Sequence, residues 1–128
     1  MKKVKILVTG CAGFIGYHLT IQLLKNKNYL VYGIDNINNY YDVDLKKSRL
    51  KELRKNKKFS FFKIDIKNLN SLKLNFSKFK YTHVIHLAAQ AGVRHSISNP
   101  QTYVDSNIVG FFNILEQSKR LKIKHLIF

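Results

Sequence analysis

Lys3-Val4-Lys5-Ile6-Leu7-Val8-Thr9-Gly10-Cys11-Ala12-Gly13-Phe14-Ile15-Gly16 is the stretch whose reading decides the fold. From Lys3 to Thr9 it is β-branched and apolar and stops at a glycine, the pattern of a buried strand. Phe14 to Lys27 then places apolar residues at 15, 19, 23 and 24, a helical period. Between strand and helix stand three glycines. A pyrophosphate must approach backbone closely and meet the free N–H groups at a helix N-terminus, where a side chain would block it. Gly10 suits the sharp turn out of the strand, Gly13 leaves the backbone open, and Gly16 lets the helix pack against the first strand. Phe14 and Ile15, in the first helical turn, belong to the same expected site.

Working outward, Leu30 to Ile34 reads as a second strand closed by Asp35. A polar stretch, Asn36 to Asp44, precedes a basic amphipathic segment from about Leu45 to Asn56, with Leu45, Leu50 and Leu53 on one side. Phe59 to Ile64 is a third strand ending at Asp65. Leu69 to Phe79 reads as a helix, Thr82 to Leu87 as a fourth strand, and Ala88 to Asn99 as a loop. Pro100 stands where a first helical turn begins, with Asn99 as its cap, and this helix is expected to reach about Leu121. Lys124 to Phe128 begins a fifth strand. Such alternation requires crossover connections and a parallel sheet. The fold class is α/β, a Rossmann-type doubly wound parallel sheet that stops after about the fifth strand.

Open parallel sheets bind ligands beyond the carboxyl ends of their strands, where Gly10, Asp35, Asp65 and Ala88 all fall. An acid 19 positions after Gly16, closing strand two, completes a dinucleotide-binding pattern. Asp35 there accepts hydrogen bonds from the adenosine ribose hydroxyls and repels a 2′-phosphate, so NAD is expected rather than NADP. The competing reading of Asp35 is a turn-forming acid.

With 128 residues, 45% of them hydrophobic, residues 1–128 are expected to form one globular domain without linker or repeat. The 23 Lys and Arg against 7 Asp and Glu give a charge of +16. The cations are scattered, among them Lys25, Lys46, Lys47, Lys51 and Lys58, which suggests a solvated basic surface and no nucleic-acid partner. No apolar run approaches the roughly 20 residues of a membrane span, and the basic start lacks the apolar core of a signal peptide. A cytoplasmic location is expected. Cys11, the single cysteine, fits the loop as a small packing residue without a base to activate it. The five histidines show no metal-ligand spacing, so no metal is expected. His83 and His86, three apart on a strand, should face opposite sides of the sheet.

The glycine loop resembles that of the extended short-chain dehydrogenase/reductase family, which includes nucleotide-sugar epimerases and dehydratases. Two further stretches, Gly33-Ile34-Asp35-Asn36-Ile37-Asn38-Asn39-Tyr40-Tyr41-Asp42 and His86-Leu87-Ala88-Ala89-Gln90-Ala91-Gly92-Val93-Arg94, are similar to UDP-glucuronate 4-epimerases, a group associated with capsule polysaccharide synthesis. Asn99-Pro100 and Tyr103-Val104-Asp105-Ser106-Asn107 are similar too. The resemblance implies that Asn36 and Asn38 join Asp35 around the cofactor and that Asp65 and Ile66 contact its adenine. It places Leu87, Ala88 and Ala89 against the cofactor after strand four, and Asn107 near the nicotinamide ribose. Arg94 is implied beside the sugar nucleotide, where a guanidinium suits a carboxylate or phosphate. The alternatives are a polar helix residue at Asn107 and a solvated loop cation at Arg94.

Such enzymes oxidise C4 of the sugar with NAD and return the hydride to the other face, using a tyrosine base with a lysine four residues later. None of the seven tyrosines here has that lysine, so no catalytic residue is assigned. The expected protein is therefore the NAD-binding first part of a 4-epimerase, inactive alone, with a UDP-sugar bound only if the remainder completes it. The other readings are a non-catalytic NAD-binding module and a basic nucleic-acid-binding protein. A sheet edge left without later strands invites self-association.

Overall fold

In the computed structural model, which describes residues 2–128, strand β1 (Val4–Thr9) has four successive buried residues at its carboxyl end. Burial on both faces is possible because helices cover both sides of the sheet. Ile6 and Val8 pack on one side with Leu24, Leu50 and Leu53. Leu7 packs on the other with Leu72, Phe76 and Ile114. The helices are α1 (Phe14–Leu24), α2 (Val43–Leu53) and α3 (Leu69–Phe79), followed by α4 (Val93–Ser98), α5 (Pro100–Tyr103) and α6 (Phe111–Arg120).

Strands β2 (Tyr29–Asp35), β3 (Phe59–Lys63), β4 (His83–His86) and β5 (His125–Ile127) complete a sheet ordered β3-β2-β1-β4-β5. Every pairing is parallel. The chain winds from β1 out to β3, then crosses back to place β4 on the other side of β1. That reversal opens a crevice between the loops after β1 and β4, the usual ligand position in such sheets.

Several expectations shift by local physics. The buried face of α1 is Gly16, Thr20 and Leu24, while Ile15 is 66% exposed. On α2 the buried stripe is Lys46, Leu50 and Leu53, and Leu45 is exposed. Asp42 caps α2 by accepting from the N–H groups of Asp44 and Leu45 at 2.8 and 3.3 Å, so the helix starts at Val43 rather than Leu45. The stretch read as a loop from Ala88 to Asn99 contains α4. The long helix expected from Pro100 is interrupted by a π-helical segment, Val104–Gly110. Asn99 precedes Pro100 as expected, but its side chain does not cap the helix; its amide donates to Ser98 Oγ at 3.2 Å.

The lysines also depart from a purely solvated role. Lys58 Nζ donates to the carbonyls of Leu24 and Asn26 at 2.7 and 2.8 Å, closing the end of α1. Lys5 Nζ donates to the Phe79 carbonyl at 2.9 Å at the end of α3. Cations suit helix C-termini, whose last carbonyls lack partners. At the β5 edge Ile127 and Phe128 are exposed, as are Ile108 and Phe112. Among the described residues no helix is long and apolar enough to cross a membrane.

Candidate functional site

The loop after β1 is set by Gly10. Its φ is +70°, a conformation that disfavours any residue with a Cβ. An added Cβ would also lie 2.9 Å from the Ala88 nitrogen, so the loops after β1 and β4 touch there. Gly10 N–H donates to the Ile34 carbonyl at 2.8 Å, which draws the end of β2 to the same point. Gly16 faces the loop's own backbone rather than the body of β1: its Cβ would lie 2.8 Å from the Gly10 carbonyl carbon and 3.0 Å from Cys11 Cα. Gly13 meets only the Gly10 oxygen at 3.2 Å and Tyr41 Oη at 4.0 Å, leaving its outer side open.

No side chain caps α1, so the N–H groups of its first turn are left for a ligand. Phe14 and Ile15 supply that turn with their side chains in solvent. Cys11 is fully buried and packs under Gly33; burial, with Asp35 nearby, pushes its thiol well above the ordinary range. That suits packing and not nucleophilic chemistry.

The cleft above this loop has a volume of about 220 Å³ and is lined by Gly10, Gly13, Asp35, Asn36, Asn38, Asp65, Ile66, Leu87, Ala88 and Ala89. Ten residues singled out from the sequence thus share one wall. Asp35 accepts from the backbone of Ala12 through Oδ2 at 3.1 Å and of Ile37 through Oδ1 at 2.9 Å. A carboxylate has about four acceptor positions, so two remain for ribose hydroxyls. Asn36 Nδ2 donates to Asp65 Oδ2 at 3.2 Å, joining the ends of β2 and β3. Asp65 also accepts from the Lys67 backbone at 2.9 Å.

Asn107 stands in the π-helical segment, and both ends of its amide bond the backbone of one residue, Gln90. Its Oδ1 accepts from Gln90 N–H at 2.8 Å and its Nδ2 donates to the Gln90 carbonyl at 3.0 Å. It is a positioning residue for the loop after β4. Arg94 lies exposed on α4 and outside the cleft wall.

The sequence reading missed the residues that close the cleft. Lys46, Tyr40, Tyr41 and Gln90 line it. The Tyr40 and His95 rings lie 4.8 Å apart, and the Tyr103 hydroxyl donates to the carbonyls of Ala91 and Gly92. The first contact ties the loop after β2 to α4, and the second ties α5 to the loop after β4. Lys46, counted with the solvated lysines, is 4% exposed. Its position four and seven residues before Leu50 and Leu53 was the available signal.

A second unforeseen group lies beneath the loop. Thr9 Oγ1 accepts from the N–H groups of Leu87 and Ala88, each at 3.0 Å, and lies 2.7 Å from His86 Nδ1. With both lone pairs used, its single proton goes to Nδ1, which makes His86 a neutral Nε2–H tautomer. His86 stacks on Phe111 at 5.3 Å, and His83 faces the opposite side of the sheet, as its spacing requires. Burial pushes His86 down from 6.5 to about 4. Between those values the unfolded chain binds the proton more readily. Its contribution is therefore complete above about pH 6.5 and is lost as pH falls to about 4, a loss of about 3 kcal/mol. Urea unfolding at the two limits measures it. The pH difference is expected to shrink in His86→Gln, and an unchanged difference would refute the assignment.

These features fit a dinucleotide: an uncapped helix under a glycine loop for pyrophosphate, a half-used carboxylate for ribose, and an open wall between them. The sequence matches the GDP-mannose 4,6 dehydratase family over residues 7–128. The chain belongs to that family. Among relatives of this family, Protein CapI of Staphylococcus aureus is 52% identical over 124 residues, 97% of this chain and 36% of that protein. The UDP-glucuronate 4-epimerase of Thermodesulfobacterium geofontis is 51% identical over 121 residues, 94% of this chain and 37% of that enzyme. The Bacillus cereus UDP-glucuronic acid 4-epimerase, solved with UDP-glucuronic acid and NAD, superposes with a TM-score of 0.88 at 40% identity. It covers 96% of this chain and 38% of its own. The chain spans little more than a third of the length of each of these three relatives.

Proposed function

We propose that this chain is the NAD-binding part of a nucleotide-sugar 4-epimerase of the UDP-glucuronate type, and that it is inactive without the remainder. The observation that carries the reading is the convergence of the Gly10 loop, the uncapped α1 and Asp35 on one cleft. Likeness to the NAD-binding part of UDP-sugar 4-epimerases supports it. Gly13 and the first turn of α1 would hold the pyrophosphate, and Asp35 the adenosine ribose. Asp65 and Ile66 would flank the adenine. Asn107 would fix Gln90, and with it Ala88 and Ala89, along the path toward the nicotinamide. NAD would supply the hydride acceptor for oxidation at C4 of the sugar. Arg94 would meet the sugar nucleotide once the remainder of such an enzyme is in place.

A ligand that binds only the folded state raises the melting temperature by mass action. NAD is expected to raise the Tm of this chain more than NADP does. Gly13→Val is expected to remove that response, because the branched side chain occupies the space over the loop. Equal shifts with both nucleotides, or none with either, would overturn the reading of Asp35 or of the cleft.

A further inference from the structure

Lys46 is a buried lysine with no carboxylate to neutralise it: among the described residues it forms no ion pair. Its ammonium donates to the Asn38 carbonyl at 2.9 Å and to Asn38 Oδ1 at 2.7 Å, and lies 4.2 Å from the centre of the Tyr41 ring. Two oxygens leave the third ammonium proton without an oxygen partner. Burial lowers its pKa, the Asp35 charge opposes that shift, and Arg49 reinforces it. Burying an ammonium against neutral oxygens is costly, and two bonds to one asparagine do not require a charge.

Lys46 lines the same cleft as Asp35. Arg49, one turn further along α2, donates through Nη1 to the Ala12 carbonyl at 3.1 Å and to Tyr41 Oη at 3.1 Å. The same Ala12 residue donates its N–H to Asp35 at 3.1 Å. Arg49 and Asp35 therefore meet at Ala12, Tyr41 lies against both Arg49 and Lys46, and Lys46 and Asp35 share the cleft wall where the ribose would lie. Asp65, the other carboxylate of the cleft, is already occupied with Asn36 and Lys67.

We propose that Lys46, backed by Arg49, forms a latent cationic site for a phosphate on the ribose 2′ position, and that the carboxylate of Asp35 alone keeps it closed. This rests on the dinucleotide reading of the cleft. A 2′-phosphate carries nearly two negative charges and three strong acceptor oxygens. It is repelled by Asp35 and matched by an ammonium with a free proton and by a guanidinium. Removing the acid would leave Lys46 as the charge beside the ribose position on the cleft wall.

The test compares NAD and NADP binding to the full chain by calorimetry and thermal shift, with circular dichroism as the check on folding. Wild type is expected to respond to NAD. Asp35→Ser is expected to bind NADP at least tenfold more tightly than wild type does, and more tightly than it binds NAD. In the Asp35→Ser background, Lys46→Gln is expected to reverse that gain and Lys46→Arg to retain it. Should Lys46→Gln fail to fold, Arg49→Gln in the same background is expected to reduce the gain by several fold. If wild type responds to NAD but Asp35→Ser gains no NADP affinity, the latent site is refuted while the cleft reading stands. A gain that persists after both cations are neutralised refutes it equally. A wild type indifferent to both nucleotides overturns the cleft reading and the proposal together.

Discussion

A Gly16→Val chain is expected to show no cooperative unfolding transition in urea. The added Cβ would lie 2.8 Å from the carbonyl carbon of Gly10 and 3.0 Å from Cys11 Cα, with the Gly10 oxygen nearer still. All three are backbone atoms, so no rotamer change relieves the clash. Gly10 itself cannot withdraw. It is held by its bond to Ile34 and wedged against the loop after β4. Overpacking costs about 1–3 kcal/mol where side chains can give way. Here the backbone of β1, its loop and α1 must move together, which takes the cost toward the whole of the roughly 5–15 kcal/mol that separates folded from unfolded chains. A variant that unfolds at the wild-type urea concentration would show that α1 does not sit on the loop as described.

Thr9→Val is expected to lower stability by about 2–5 kcal/mol without creating a cavity, since the two side chains are nearly the same shape. Thr9 is completely buried. Valine removes the acceptor of Ala88 N–H and the donor to His86 Nδ1, and leaves Leu87 N–H with only its longer bond to the Thr9 carbonyl at 3.3 Å. Each buried polar group left without a partner costs about 1–3 kcal/mol. Thr9→Ser, which keeps the hydroxyl, should recover most of the loss. Equal urea midpoints for valine and serine variants would mean that the hydroxyl does not hold the loop after β4.

Much of this fold was legible because its decisive signals are local. A strand, three glycines and a helix lie within one short stretch, and the alternation that follows admits only a parallel sheet. Asp35, Asp65 and Ala88 were placed correctly on one edge by nothing more than their position at strand ends. What escaped depends on contacts between distant segments. Lys46 was read as solvated because it is one of many cations scattered along the chain, and its acceptor, Asn38, becomes visible only when the loop after β2 folds back. Asn107 was placed near the cofactor, but its pairing with Gln90 spans 17 positions and leaves no periodic trace. Helix α4 is too short for a period to register, and Ile15 and Leu45 are exposed although apolar spacing had assigned them inward. The glycine at 16 was read as serving the strand, whereas its neighbour is the loop.

The π-helical segment that carries Asn107 has a consequence for how chains of this kind tolerate changes in length. A π turn closes its hydrogen bonds one residue later than an α turn, so it holds a surplus residue within an otherwise continuous rod. Each residue of an α-helix advances the azimuth by about 100°. Removing one position between Val104 and Gly110 would therefore let the rod become regular while rotating everything on one side of the deletion relative to the other. Asn107 could no longer face Gln90 while Ile114 kept its place in the core. Beyond the identity of Asn107, the residue count of this segment is a phase setting shared by the loop after β4 and the hydrophobic interior.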